Sequence, residues 1–590
     1  MCGIAGLMLQ RDAPPPDLAV LGRLATALAH RGPDGAGHTL VGNVGLVHTR
    51  LAIVDLQTGD QPFFAGPAAL IANGEIYNDP ALRAELPRTN FATHSDCEPP
   101  LHLWLRDGPA YAQELRGMYA IAIHQRAART LTLSRDPFGI KPLYTAKIAG
   151  GVAFASEPQA LLATGLVPRR LRAQPRRELL QLQFTTGAAT IFAGIDRVLP
   201  GETLTCADGH IVGRHRIDPL PPGPPEPIGE AAAMARLDAA LTQSVELHQR
   251  SDVPYGMFLS GGVDSATLLA LMARLNASPV LAYTAGFDVP GAADEREAAA
   301  ITARAAGARH ETITITEAMV WRHLPRIVAA MDDPACDYAI IPSWFLAERA
   351  RQDVKVVLCG EGGDELFAGY GRYRSALRPF WRGGRAMRRH GTFHGLDILR
   401  GTQHGWRDGI AAAEAAMNNQ GRGRLCVAQA TDIADWLPHD LLLKLDRCLM
   451  AHGVEGRTPF LDPAVAAAAF RLPDDLKLRG GMGKYLLRAW LERALPQARP
   501  VAPKQGFTVP IGAWIAAKGD RLGPLVAAQP GIAEIADPDR VRALFSHAAD
   551  RHRGFAAWTL LFYALWHRAH IEARPPDGDV FEYLAPSAGL

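Results

Sequence analysis

The spacing of apolar and polar positions changes character near residue 218. Before it, short alternating or β-rich stretches recur at 43–54, 69–76, 119–124, 130–134 and 152–155, punctuated by turn residues. That patterning predicts strands. Helical spacing appears at 18–30 and 99–108. Residues 1–217 therefore read as a sheet-rich domain with a few helices. Next comes Asp218-Pro-Leu-Pro-Pro-Gly-Pro-Pro-Glu-Pro-Ile-Gly229, six prolines in twelve residues. Proline cannot continue a helix or a central strand, so 218–229 reads as a stiff, extended linker.

From 230 to 590 the pattern is different. A long helix is predicted at 231–250. Apolar strands at 255–259, 280–286, 311–315 and 355–359 are separated by helical periods at 265–275, 295–306 and from 317 onward. Strands alternating with helices imply a parallel sheet covered on both faces. Residues 372–429 are irregular and arginine-rich and read as a solvated helical insertion.

A chain of 590 residues exceeds what one core supports, which predicts more than one domain. It is 48% hydrophobic and 21% charged, as globular proteins are. A net charge of +2 gives no electrostatic case for nucleic acid or an anionic membrane. No apolar run reaches the ~18 residues of a membrane span, and the start lacks a signal-peptide pattern. Seven scattered cysteines form neither a disulfide framework nor a metal-ligand set, which points to a reducing, cytoplasmic setting. Oligomeric state is left open, a homodimer included.

Four places carry chemistry. Removal of Met1 leaves Cys2 with a thiol and a free α-amine of pKa roughly 7.7–8.0, a nucleophile and a base in one residue. Leu259-Ser260-Gly261-Gly262-Val263-Asp264-Ser265 joins a strand to a helix. Its glycines permit close backbone approach, the helix N-terminus suits an anion, and Asp264 can hold a cation. It lacks the Lys-Ser/Thr ending of a Walker loop. After a later strand, Cys359-Gly360-Glu361-Gly362-Gly363-Asp364-Glu365 gathers three carboxylates, an arrangement suited to Mg²⁺ with phosphate oxygens. Lys504, in Pro503-Lys504-Gln505-Gly506-Phe507, offers a cation in a loop.

Cys2-Gly-Ile, Arg31-Gly-Pro-Asp34, Asn73-Gly-Glu-Ile-Tyr77, Arg135-Asp-Pro-Phe-Gly-Ile-Lys-Pro-Leu-Tyr144 and Phe154-Ala-Ser-Glu157 together resemble a class II glutamine amidotransferase domain. The second half resembles the ATP-pyrophosphatase domain of glutamine-dependent asparagine synthetases. The pieces that match are 260–265, 360–370, Lys444-Leu-Asp-Arg447, Glu455-Gly-Arg457, Pro459-Phe-Leu-Asp462 and Lys504-Gln-Gly-Phe507. The resemblance runs from Cys2 to about Trp566 and is weakest over 371–430. It implies an α+β four-layer αββα sandwich of the Ntn-hydrolase kind, followed by an α/β domain with a parallel sheet of the adenine-nucleotide α-hydrolase type. It also implies a substrate set of glutamine, aspartate and ATP, with Mg²⁺.

Carried over by the resemblance, Cys2 attacks the glutamine amide and Asn73 and Gly74 form the oxyanion hole. Arg50 takes the α-carboxylate; Glu75 and Asp96 take the α-amine. ATP lies on Leu259, Ser260, Gly261, Gly262, Asp264 and Ser265, with Ala285, Cys359 and Gly360 near the adenosine. Asp264 and Asp364 are the Mg²⁺ ligands, Glu361 assists acyl-adenylate formation and Lys504 offsets phosphate charge. Two departures stand out: Cys359 replaces a serine, and Gly456 replaces a bulkier residue. Ammonia released at the first site has to reach the second, which implies an enclosed, mostly apolar passage. Two rival readings remain: the same fold amidating another carboxylate, and a non-catalytic binding protein. Cys2 argues against a third, ring closure, because that reaction needs no ammonia.

Overall fold

The structure is a computed structural model that describes residues 2–289, 294–378, 381, 387–418, 420–501 and 509–586. The first 216 residues build two antiparallel six-stranded sheets. One runs, edge to edge, Ile195–Arg197, Tyr144–Ile148, Gly151–Ala155, Cys2–Leu9, Val44–Arg50, Gly35–Val41. The other runs His210–Arg216, Glu202–Ala207, Thr130–Arg135, Gly117–Gln125, Ala68–Ile76, Phe63–Ala65.

Strand alternation explains how the sheets stack. Ile4 and Met8 of the first sheet meet Ile71, Ala120 and Ala122 of the second in one core. Ala5 and Leu7 point the other way, toward Leu21, Leu24 and Leu28 of the Leu18–Leu28 helix. Leu70, Ala72, Ile121 and Ile123 face outward beneath Leu101 and Trp104 of the Pro99–Asp107 helix. Period-two side chains thus give each sheet one face for its partner and one for helices, the αββα sandwich expected from sequence.

The second half holds a parallel five-stranded sheet in the order Arg309–Ile315, Leu281–Phe287, Tyr255–Phe258, Val356–Leu358, Glu455–Arg457. In chain order this is 3-2-1-4-5. The order reverses between Tyr255–Phe258 and Val356–Leu358, and ligands of open parallel sheets bind beyond the strand ends at such a switch point. Those two strands lead directly into the 259–265 and 359–365 loops. Helix Arg551–His570 closes the lower core with Trp558 and Trp566 fully buried, each worth about 1.5–3 kcal/mol on the scale of large apolar side chains. Among the described residues no helix is long and apolar enough to cross a membrane.

The arginine-rich segment is helical and largely exposed, Arg374, Arg378 and Arg389 included, as a solvated insertion would be, but two of its arginines turn inward. It contributes helices Gly371–Ala376, Asp408–Asn418 and Arg424–Thr431. Arg372 lies 3.9 Å over the Tyr370 ring and 4.1 Å over the Trp436 ring, and its Nε donates to buried Asp432 at 2.7 Å. Arg388 lies 4.8 Å over the other side of the same cluster, on Trp436. Cation–π stacking and a buried counter-charge draw these arginines inward. Arg382 and Arg385 lie outside the described residues.

Candidate active sites

The first site forms where two strands of the first sheet begin and end. Cys2 pairs across the ladder with Arg50. Gly3 is required beside it, since a Cβ there would stand 2.6 Å from Thr49 Oγ1. The Cys2 backbone N–H donates to Asn73 Oδ1 at 3.0 Å, while Asn73 Nδ2 is buried without a partner among the described residues. At Gly74 a Cβ would lie 2.1 Å from the Met118 carbonyl oxygen, so only glycine lets this strand run so close to its neighbour. Asp96 Oδ2 accepts from the Ile76 N–H at 2.7 Å, which brings it beside Glu75. Arg50 donates to the carboxylate of exposed Asp60 at 2.6 Å and to the Asp55 carbonyl. Cys2, Arg50, Asn73, Gly74, Glu75 and Asp96 are thus linked by register and hydrogen bonds.

Burial sets the electrostatics here. It pushes the Cys2 thiol up, against the pull of the Arg50 guanidinium. It pushes Asp96 up to about 6, although the Ile76 hydrogen bond pulls the other way. It also lifts Glu75 well above the usual carboxylate range, against the pull of Arg457. A thiol held protonated needs a base, and carboxylates poised this way gain from a bound cation.

The second site is a cavity of about 610 Å³ at the switch point. The whole 259–265 loop lines it, as do Ala285, Cys359, Gly360, Glu361 and Asp364. Ser260 and Ser265 hydroxyls are 3.0 Å apart, and the Ser260 hydroxyl accepts from the Gly262 N–H at 3.1 Å. Helix Val263–Leu275 starts there with no side-chain cap, so its first N–H groups are available to an anion. The two loops touch: a Cβ at Gly363 would lie 2.6 Å from Asp264 Oδ1. Gly362, at φ 92°, occupies the left-handed region that favours glycine.

Asp264 and Asp364 meet on one lysine. Lys484 Nζ is 2.5 Å from Asp264 Oδ2 and 2.7 Å from Asp364 Oδ1. Among the described residues no group of three or more His, Cys, Asp or Glu forms a metal site. Two converging carboxylates nevertheless fit Mg²⁺, which usually takes one or two carboxylates and completes its shell with phosphate oxygens and water. Burial raises the Glu361 carboxyl, with Lys444 pulling it down. Lys444 itself donates to Asp337 at 2.9 Å. Lys504 lies outside the described residues.

Lys484 received no role from the sequence, where only a run of glycines before it marks an unusual turn; its φ is 61°. Lys444 and Arg31 sat in recognised motifs without assigned tasks. The structure joins those motifs. Arg31 is fully buried, with Nε 3.2 Å from the Cys2 carbonyl oxygen and Nη1 and Nη2 2.7 and 2.9 Å from the two oxygens of Asp446. Asp446 shares helix Leu442–Met450 with Lys444, two residues or about 200° away around the axis. One side of that helix lines the nucleotide-sized cavity through Lys444, and the other holds Arg31, which donates to the Cys2 carbonyl. At Gly456 a Cβ would stand 3.0 Å from Leu449 and 3.2 Å from Leu445, so the glycine lets this helix lie close on the last strand. Cys359 is anchored through its backbone, its N–H donating to the Arg457 carbonyl at 2.8 Å.

Comparison with known proteins agrees with this layout. The asparagine synthase family model matches residues 236–568, and the glutamine amidotransferase domain model matches residues 1–216. Asparagine synthetase [glutamine-hydrolyzing] 1 of Bacillus subtilis is 31% identical over 97% of this chain and 98% of its own. Asparagine synthetase B [glutamine-hydrolyzing] of Escherichia coli is 28% identical over 87% of this chain and 83% of its own. Amidase chyE of Penicillium rubens is 31% identical over 59% of this chain and 55% of its own. The chain belongs to the glutamine-hydrolysing asparagine synthetase family.

Proposed function

We propose that the chain hydrolyses glutamine at Cys2 and uses the ammonia to amidate the side-chain carboxylate of aspartate, which ATP first activates as an acyl-adenylate. The Cys2 α-amine, free once Met1 is removed, takes the thiol proton. Sulfur attacks the glutamine side-chain carbonyl, whose oxygen gains charge and is met by Asn73 Nδ2 and the Gly74 N–H. Arg50 exchanges exposed Asp60, a pair worth only about 0–1 kcal/mol, for the glutamine α-carboxylate. Glu75 and Asp96 face the α-ammonium.

In the cavity, the aspartate carboxylate attacks the α-phosphorus of ATP and pyrophosphate leaves. Ammonia then displaces AMP, giving asparagine. Asp264 and Asp364 would hold Mg²⁺, which would supply charge neutralisation at the phosphates. Lys484 keeps the two acids together, and Glu361 with Lys444 faces the activated carboxylate. The single observation that supports the reading best is that the 259–265 and 359–365 loops, 100 residues apart in sequence, close on one cavity whose supporting helix also pairs, through Asp446, with the arginine bonded to the Cys2 carbonyl. The halves meet near Cys2 through buried ion pairs and through an apolar cluster that includes Leu51, Tyr77 and Met118, which offers walls for an ammonia route.

A second reading keeps the chemistry and changes the acceptor. Glu361 and Glu365 line the same cavity as Lys444, which is already paired with Asp337. That acid-rich wall suits amino-bearing carboxylates in general. Pyrophosphate release with MgATP, glutamine and each candidate carboxylate decides between them. Aspartate-dependent pyrophosphate matched by asparagine is the expected result; glutamine hydrolysis without it transfers the reaction to another acceptor.

The glutamine site carries its own pH signature. With Asp96 at about 6 and Glu75 raised as well, acid neutralises the groups facing the ammonium. The KM for glutamine, measured by glutamate release, is expected to rise as pH falls through about 6. A flat KM across that window removes Asp96 from the site.

A further inference from the structure

We infer that Arg457, contributed by the synthetase half, is a positioning residue of the glutamine site: it sets Glu75 so that one carboxylate oxygen faces the ammonium of the incoming amino acid. The inference rests on the reading of the Cys2 site as a glutaminase and adds that this site is completed from across the boundary between the two halves.

Arg457 ends the Glu455–Arg457 strand and is fully buried. Its Nη1 donates to the carbonyls of His248 and Arg250, at 2.9 and 2.6 Å. Its Nε donates to Glu455 Oε1 at 2.5 Å. These bonds fix the plane of the guanidinium. The remaining Nη2 edge crosses to the first half and donates to Glu75 Oε2 at 3.1 Å. A planar fork of five donors suits this task, because satisfying three partners orients the group for the fourth.

The consequence appears on Glu75. With Oε2 taken, Oε1 is buried and has no partner among the described residues. Asn73, two positions earlier on the same strand, also has an open buried atom, the donor Nδ2. Residues i and i+2 project from the same face of a strand, about 6.7 Å apart. Buried polar groups are almost always paired, so two orphans of opposite type on one face describe a missing ligand. That ligand carries a hydrogen-bond acceptor at one end and a cation at the other. Glutamine offers its side-chain carbonyl to Asn73 and its α-ammonium to Glu75. Without Arg457, Glu75 is free to turn, and it shares a buried neighbourhood with Asp96 and Glu455.

Arg457→Lys in the full chain is the test, with Arg457→Met beside it. Lysine keeps the charge, but one ammonium cannot serve two carbonyls, Glu455 and Glu75 together. The glutamine KM for glutamate release is expected to rise roughly 10- to 100-fold, the scale of one charged hydrogen bond, with a much smaller change in kcat. Ammonia-dependent pyrophosphate release, which does not use this site, serves as the fold control. Inactivation at Cys2 by 6-diazo-5-oxonorleucine, which carries the α-ammonium, is expected to slow in parallel. Iodoacetamide, which lacks it, is expected to react at the wild-type rate. An unchanged glutamine KM in Arg457→Lys overturns the inference. Equal slowing of both reagents also overturns it, because it reduces Arg457 to a packing role. A wild-type chain that releases no glutamate overturns instead the glutaminase reading beneath it.

Discussion

Cys2→Ala is expected to abolish glutamine-dependent synthesis while ammonia-dependent synthesis continues. The substitution removes one buried sulfur and nothing else: the strand still pairs with Val44–Arg50, and the Asn73 bond uses the backbone N–H of residue 2. The other thiol beside the site, Cys97, donates to Asp96 and is held protonated by burial, so it is not expected to replace the Cys2 nucleophile. The loss in glutamate release should be on the order of 10⁴-fold or more, as when a covalent nucleophile is deleted elsewhere. Ammonia supplied in solution bypasses the step, because the cavity at the switch point makes no use of the thiol. The measurement is asparagine yield with each nitrogen source at saturating aspartate and ATP. If both activities vanish together, the two sites are not separable.

Asp364→Asn should act in the opposite sense, stopping pyrophosphate release while glutamate release persists. In the native chain Asp364 and Asp264 are drawn together by Lys484. The amide keeps the shape and removes one negative charge, so Lys484 is left against Asp264 alone. A site with one carboxylate and an adjacent ammonium is a poor host for a divalent cation. The expected fall in pyrophosphate release is on the order of 10²–10³-fold, the scale for deleting one group that stabilises charge in a transition state. Raising the Mg²⁺ concentration should recover part of it. A normal pyrophosphate yield strikes Asp364 from the metal ligands.

Much of this arrangement is legible in the sequence where the signal is local. Period-two patterning at 69–76 and 119–124 marks strands because each needs one face for the opposing sheet and one for helices. The 259–265 and 359–365 loops follow apolar runs, so their place at strand ends is readable. What brings them together is strand order, which depends on contacts between distant segments. The same holds for partners of buried charges. Arg31 and Asp446 are 415 residues apart, and nothing near either residue names the other. The glycines before Lys484 signal a turn but not a task, and its importance comes only from where the two acids converge. Within the arginine-rich segment Arg372 is the exception for the reverse reason: charge density suggests water, but the aromatic faces of Tyr370 and Trp436 and the carboxylate of Asp432 offer it a better environment.

The seam through Arg31, Asp446, Glu75 and Arg457 bears on how such a chain can be recombined. Each half lends the other a counter-ion, and all four side chains are buried. A foreign second half without acids and arginines at these places would leave Glu75 without its arginine and Arg31 with only Glu157 of its own half, and breaking a buried ion pair costs about 3–5 kcal/mol. The halves are therefore fitted to each other as lock parts are, and a chimaera has to transplant the seam as well as the catalytic loops.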